Sequence, residues 1–480
     1  MRTTNGTGAT LVIVGGGGFR VPLVYGALCH GPFAGLVSDV VLLDAEPDRA
    51  RAIARVLGAM TSGADGRAPS VRIGNRFEDA LPGADIVFAA VRSGGTDGRV
   101  LDERVALAAG LVGQETVGVG GISYALRSIP DMMRVARAMR DLSPNAWLIN
   151  FTNPAGMVTE AVSAVLGSRV IGICDSASGL VTRAARAAGV DLAGSLAGVD
   201  YVGLNHLGWL RGLDDGHGGG GHSGAGAGGS GDCAGGAGGG RDRLPELLAD
   251  PLRLAGFEEG RLFGPDLLSV LGALPNEYLF YYYFHREALR SISAADRTRG
   301  EILRDQQQGL YPRLLTARDP LAAWEEARRH RESGYLAEAR SAEERRDETD
   351  LAGGGYERVA LQVMRALLTG RRAELILNVR NGDTFPGLDR DAIVEVPAVV
   401  DSSGAQPRPA RRPLTAHQLG LMSAVKAVEQ HTVRAAVDGD RDAALLALAE
   451  HPLVDSFHVA AMVLAGYEEA FPALKASWVS

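Results

Sequence analysis

Cysteine is scarce in this chain, with three in 480 residues, at Cys29, Cys174 and Cys233, and no CxxC pair among them. An odd count without close spacing excludes a disulfide framework and fits a reducing compartment. Long apolar runs are missing too: none approaches the ~20 residues that span a bilayer. The opening MRTTNGTGATLVIVGGGG lacks the basic region, apolar core and small-residue cleavage site of a signal peptide. These absences predict a soluble, cytoplasmic protein with no membrane partner. Basic residues are outnumbered, 49 Lys+Arg against 57 Asp+Glu, giving a formal net charge of −8, and no basic stripe stands out. No nucleic-acid partner is expected, although a few placed arginines could hold a phosphorylated small molecule. There is no internal repeat.

What remains is ordinary globular composition, 46% hydrophobic and 22% charged, on a chain long enough for two or three domains. Residues 11–14 are an apolar run that passes straight into Gly15, Gly16, Gly17, Gly18, Phe19 and Arg20. A helix-like stretch, 21–28, follows, and a second apolar run, 40–43, ends in Asp44. This is the order of a first βαβ unit that binds a dinucleotide. The glycines let backbone N–H groups close on a pyrophosphate at a helix N-terminus. Asp44 would take the ribose hydroxyls and favour NAD over NADP. Further strands are expected over 84–91, 146–150 and 170–173, ending at Arg92, Asn153 and Cys174-Asp175. Helices are expected between them over 49–62, 102–109 and 132–142. The alternation predicts an α/β fold: a Rossmann-like, doubly wound, mostly parallel sheet with a helix-rich α+β C-terminal domain. Residues 1–200 are read as NAD-binding, and 201–480 as carrying substrate, metal and subunit contacts.

Ligands of such sheets sit at the carboxyl ends of the strands. Arg92, Asn153, Cys174 and Asp175 all fall there. Cys174 alone reads first as a core residue, with a soft ligand as the alternative. The glycine-rich run 110–121, with Gln114-Glu115-Thr116 inside it, suits a loop closing on a ligand or an ordinary connection.

Residues 200–209 read as one strand with His206 inside it, a core histidine or a ligand. From 215 to 241 the chain is almost wholly Gly, Ala and Ser, a flexible loop in which His217, His222 and Cys233 are passengers. LPNEYLFYYY, 274–283, suggests an aromatic helical face. Arg297-Thr298-Arg299 begins a helix. Later helices are expected over 357–368, 417–436, 440–449 and 456–469, with strands over 374–379 and 393–397 on either side of an Arg380-Asn381-Gly382 turn.

Five motifs in order, VGQETVGVGGISYALRSIP, INFTNPAG, ICDS, GLNHLGW and LPNEYLFYYY, resemble glycoside hydrolase family 4, the NAD- and metal-dependent glycosidases. The resemblance covers nearly the whole chain. It implies that Cys174 and His206 hold a divalent metal, usually manganese. Tyr278 matches the catalytic base, and Glu115 a carboxylate that accepts the tyrosine's proton. Asp175 matches the proton donor of 6-phospho-α-glucosidases. Arg99, Asn153 and Arg299 match substrate-binding positions, Arg299 with a one-residue offset, and Arg92 would approach phosphate or cofactor. The implied mechanism oxidises the sugar's 3-hydroxyl with bound NAD, removes the acidified carbon 2 proton, eliminates the aglycone, adds water and returns the hydride. GLNHLGW and ILNVRNG look like 6-phospho-β-glucosidases; Asp175 follows the α enzymes, and the Ser-Ala-Ser after it matches neither. The expected substrate is a phosphorylated disaccharide or glucoside, and the expected assembly a homodimer or homotetramer. Alternatives are a 6-phospho-α-glucosidase or other family 4 α-glycosidase, a lactate/malate-type dehydrogenase, and a non-catalytic nucleotide-binding protein.

Overall fold

The computed structural model describes residues 8–61, 68–216, 240–332 and 355–479. Six strands pair in parallel: β1 (Ala9–Val14), β2 (Val37–Leu43), β3 (Ser70–Gly74), β4 (Ile86–Ala89), β5 (Trp147–Asn150) and β6 (Val170–Gly172). The hairpin β7 (Val199–Leu204) and β8 (Leu207–Leu213) forms a separate three-stranded sheet with β9 (Leu274–Pro275). The chain then returns, and β10 (Ala373–Arg380), β11 (Ile393–Asp401) and β12 (Gly404–Pro407) extend the first sheet with antiparallel pairing. That sheet has nine strands in the order β12-β11-β10-β6-β5-β4-β1-β2-β3. It draws strands from both sides of residue 200.

The parallel strands read as unbroken apolar runs because helices cover both faces. Leu11 and Ile13 of β1 join one core with Tyr25 and Ile53, while Val12 and Val14 join another with Ile129 and Val158. A third core, including Leu126, Val428, Leu448 and Leu464, ties the C-terminal helices to the helices Gly95–Ala108 and Gly118–Leu142. Among the described residues, no helix is long and apolar enough to cross a membrane. His217, His222 and Cys233 lie outside the described residues.

Three expectations need correction. The helix expected over 132–142 is one long helix, Gly118–Leu142, that carries through Pro130. Its glycines serve close packing and not flexibility. A Cβ on Gly120 would lie 2.4 Å from the Gln114 carbonyl oxygen, and one on Gly121 2.6 Å from that of Thr116. The run 200–209 is not one strand but a hairpin whose two-residue turn is Asn205–His206, with His206 at φ 62°. The 274–283 segment is not one helical face: β9 leads into a 3₁₀ turn, Glu277–Leu279, and only then a short helix, Phe280–Tyr283. The helix at Arg299 is as expected, Arg299–Gln308, started by a Thr298/Glu301 capping box.

Candidate active site

Cys174 follows the carboxyl end of β6, and the β7–β8 turn brings His206 against it. Cys174 Sγ and His206 Nε2 are 3.3 Å apart. The pair therefore straddles residue 200. Tyr278, in its 3₁₀ turn, stacks on the imidazole with ring centroids 3.7 Å apart and planes 12° apart. All three side chains are buried. Burial pushes the Cys174 thiol well above its ordinary pKa, and the nearby Glu395 and Asp175 charges add to this against a hydrogen bond from Ser176. Burial pulls His206 down to about 4, so the ring is neutral near pH 7 in spite of Asp175 and Glu115. A neutral imidazole beside a thiol, which a cation would help to ionise, could serve as two ligands of one metal. One ion with bonds of about 2.0–2.3 Å spans such a separation. Among the described residues no group of three or more His, Cys, Asp and Glu is placed to hold a metal.

Each member of the pair has a hydroxyl beside it. Thr116 Oγ1 lies 2.7 Å from His206 Nδ1, and Ser176 Oγ lies 3.3 Å from Cys174 Sγ. Asn276 Nδ2 donates to Ser176 Oγ at 3.0 Å, and Tyr278 N donates to Asn276 Oδ1 at 3.1 Å. Behind the turn, the buried Glu395 carboxylate accepts from Tyr201 at 2.9 Å and from Asn205 and Asn378 at 3.2 Å. Burial raises Glu395 to about 7, against these three hydrogen bonds.

Arginines gather at the same edge. Arg92 and Arg99 each donate to Glu115 Oε2 at 2.7 Å. Burial alone would raise the Glu115 carboxyl, but the two guanidiniums outweigh it and hold the group well below the usual carboxylate range. A carboxylate in that state is a poor proton acceptor. Here Glu115 anchors two arginines. Arg99 Nε also donates to Glu103 at 2.7 Å, and Glu103 accepts from Gly300 N at 2.7 Å, which brings Arg99 against the start of the Arg299 helix. Arg299 donates to the Arg331 carbonyl at 3.2 Å. Arg331 lies over the Phe19 ring, 5.0 Å from its centroid. Burial and the charges of Arg20, Arg92 and Arg99 pull its pKa to about 9. So much positive charge in one place favours a multiply charged anion. Asn153 lies three residues past the end of β5 and makes a cis Asn153–Pro154 bond. Asp175 is 3.9 Å from Arg20, but the two side chains are 38% and 42% exposed, so the pair is weak.

The glycine loop is built for close backbone approach. Gly15 has φ 85°, and a Cβ there would sit 2.5 Å from the Ala90 oxygen; one on Gly16 would meet Leu42 Cα at 2.8 Å. Gly17 N donates to Asp44 Oδ2 at 2.8 Å, and Gly18 N to Gly15 O at 2.8 Å. Phe19 is buried beside Trp324, whose Nε1 donates to the Phe19 carbonyl at 2.8 Å. The helix Val21–Cys29 begins directly after Arg20. Tyr311, which the sequence did not flag, donates to Gly17 O at 2.9 Å and accepts from Arg49 at 2.9 Å. Ser176, Asn276 and Glu395 were not flagged by the sequence either, while Gln114 and Thr116 were visible only as part of a loop suited to a ligand. The signals were there in the QET, CDS, PNEY and VEVP runs, but their partners lie far away in the chain.

Fold and site together define a Rossmann-like α/β protein with a thiol–imidazole pair at the strand ends. The family 4 glycosyl hydrolase model matches residues 10–190, and the family 4 glycosyl hydrolase C-terminal domain matches residues 201–454. The chain belongs to glycosyl hydrolase family 4. It is 30% identical over 400 residues to a probable 6-phospho-beta-glucosidase of Bacillus subtilis, covering 82% of this chain and 80% of that one. It is 26% identical over 487 residues to a maltose-6'-phosphate glucosidase of Fusobacterium mortiferum, covering 97% and 99%. In structure it is similar to a 6-phospho-beta glucosidase of Thermotoga maritima solved with NAD and glucose-6-phosphate, at TM-score 0.76 and 24% identity over 97% of this chain and 99% of that one. A 6-phospho-alpha-glucosidase from gut microorganisms, solved with NAD and Mn2+, gives TM-score 0.76 and 23% identity over 98% and 99%.

Proposed function

We propose that this enzyme hydrolyses 6-phosphoglucosides, 6-phospho-β-glucosides by preference, with NAD and a divalent cation, manganese first among them. The observation that carries the reading is the Cys174–His206 pair, 3.3 Å apart at the strand edge with Tyr278 stacked on the imidazole. The B. subtilis relative favours the β anomer; Asp175 keeps the α anomer as the second reading. When bound, NAD supplies reversible hydride transfer and the cation supplies Lewis acidity toward substrate oxygens.

Cys174 and His206 would hold the cation. The turn of Gly15, Gly16, Gly17 and Gly18, with Phe19 and Arg20 leading into the helix Val21–Cys29, would let the backbone pass close to the diphosphate, and Asp44 would take a ribose hydroxyl. Arg99, Asn153 and Arg299, with Arg92 beside them, would bind the phosphosugar, while Glu115 fixes Arg92 and Arg99 against it. Tyr278 would take the carbon 2 proton and Asp175 would protonate the leaving group. Residues 1–200 and 201–480 are proposed as the nucleotide half and the substrate and subunit half, with the metal pair bridging them. The proposed assembly is a homodimer or homotetramer in the cytoplasm.

Nitrophenyl 6-phosphoglucosides of each anomer test the proposal. Release should need both NAD and Mn2+ and should be faster for the β anomer. Turnover that survives removal of NAD and chelation of metal overturns it, and net NADH accumulation would mark a dehydrogenase instead.

A further inference from the structure

Three donors converge on one atom of Gln114. Its Oε1 accepts from Thr116 N at 2.6 Å, from Val117 N at 2.7 Å and from Thr116 Oγ1 at 2.9 Å. Two backbone N–H groups oblige that atom to be the amide oxygen, so the Thr116 hydroxyl proton points at it. Having spent its proton there, Thr116 Oγ1 can only accept from His206 Nδ1 across 2.7 Å. The ring then carries its proton on Nδ1, and Nε2 presents a lone pair toward Cys174. The same logic runs on the other side. Tyr278 N fixes Asn276 Oδ1 as oxygen, so Nδ2 donates to Ser176 Oγ, and the serine proton is free for Cys174 Sγ. Asn276 and Ser176 are buried, with Asn276 fully so.

We propose that Gln114–Thr116 and Asn276–Ser176 are paired amide–hydroxyl relays that, before any metal arrives, fix His206 with its Nε2 lone pair turned toward Cys174 and hold the Cys174 sulfur beside it. Gln114, Thr116, Asn276 and Ser176 are positioning residues and touch no reacting atom. Groups of this kind orient metal ligands and fix imidazole tautomers. The inference rests on the metal role proposed for Cys174 and His206, and its first test is independent of metal.

A long-range proton–nitrogen spectrum of the metal-free full chain, labelled with ¹⁵N-histidine and assigned by loss of the signal in His206→Gln, should show His206 protonated at Nδ1 alone. Calorimetric titration with Mn2+ should then give affinity roughly 10–100-fold weaker in Thr116→Val and in Ser176→Ala. Thr116→Ser should recover near wild-type affinity, and unchanged NAD affinity in each variant would report intact folding. An Nε2–H tautomer in the wild type overturns the relay, as does a folded Thr116→Val that binds Mn2+ as the wild type does. If the wild type has the Nδ1–H tautomer but binds no Mn2+, the metal reading fails while the hydrogen-bond relay stands.

Discussion

Glu395 is a carboxyl with three donors around it and burial against it, and burial wins. Its native pKa, about 7, lies above the ordinary 4.5, so the native state holds the extra proton between those values. Stability from this group is therefore lost as pH rises across that window, by roughly 3 kcal/mol in all. Glu395→Gln should be increasingly favourable relative to wild type as denaturant unfolding is moved from pH 5 to pH 8; parallel curves would refute it. His451 works the other way. Burial, with the His285 charge, holds it near 4, and its stability is fully present above about 6.5 and lost toward pH 4. The two partly cancel in the wild type, so the difference between variant and wild type is the informative quantity. Tyr278 gives a second prediction at this scale. Tyr278→Phe keeps the ring stacked on His206 and removes only the hydroxyl. It should cut kcat by roughly 10²–10⁴-fold and abolish solvent exchange at carbon 2, while Mn2+ affinity stays put.

Among the elements, the start of the Gly118–Leu142 helix sets the position of the loop before it. Gly120→Ala would drive a Cβ to 2.4 Å from the Gln114 carbonyl, with backbone on both sides and nothing soft to yield. It should cost about 1–3 kcal/mol and loosen Thr116 from His206, read as weaker Mn2+ binding alongside a lower unfolding midpoint. Gly58 is the control. It lies exposed in the helix Pro47–Met60, and a Cβ there would meet nothing within 4 Å. Gly58→Ala should be stabilising by about 0.5–1 kcal/mol. What was legible in the sequence follows the same division. β1, β2, β4 and β5 were visible because sheets covered on both faces leave continuous apolar runs ended by glycine or polar residues. The same full burial hid the β7–β8 turn, since every residue of both strands is buried and no alternation marks the reversal. The glycines of the long helix looked like a loop because close packing and flexibility call for the same residue.

Across the whole molecule, the largest thing the sequence could not show was the return of β10–β12 to the parallel sheet. That depends on Asn378 pairing with Gly172 across more than two hundred residues of intervening chain, and local pattern carries no trace of it. Glu395 arrives at the site on that returning strand, 194 residues from its partner Tyr201, which is why its role was illegible while the Cys174 end of β6 was plain. Metal dependence is predicted at this scale too. If the cation binds only the native chain, the unfolding midpoint should climb with Mn2+, by about 2.7 kcal/mol of stability at a hundredfold excess over Kd, and fall back on chelation. Cys174→Ser should flatten that climb.

Cys174 follows a strand of the large sheet and His206 turns a hairpin of the small one, 32 residues further along. An ion held by both would close that stretch of polymer into a ring. By the chain-entropy argument used for covalent cross-links, a ring of this size withdraws about 3–4 kcal/mol of freedom from any partly opened state that keeps it shut. The catalytic ion would then double as a removable staple, and protease resistance of the hairpin would track manganese supply.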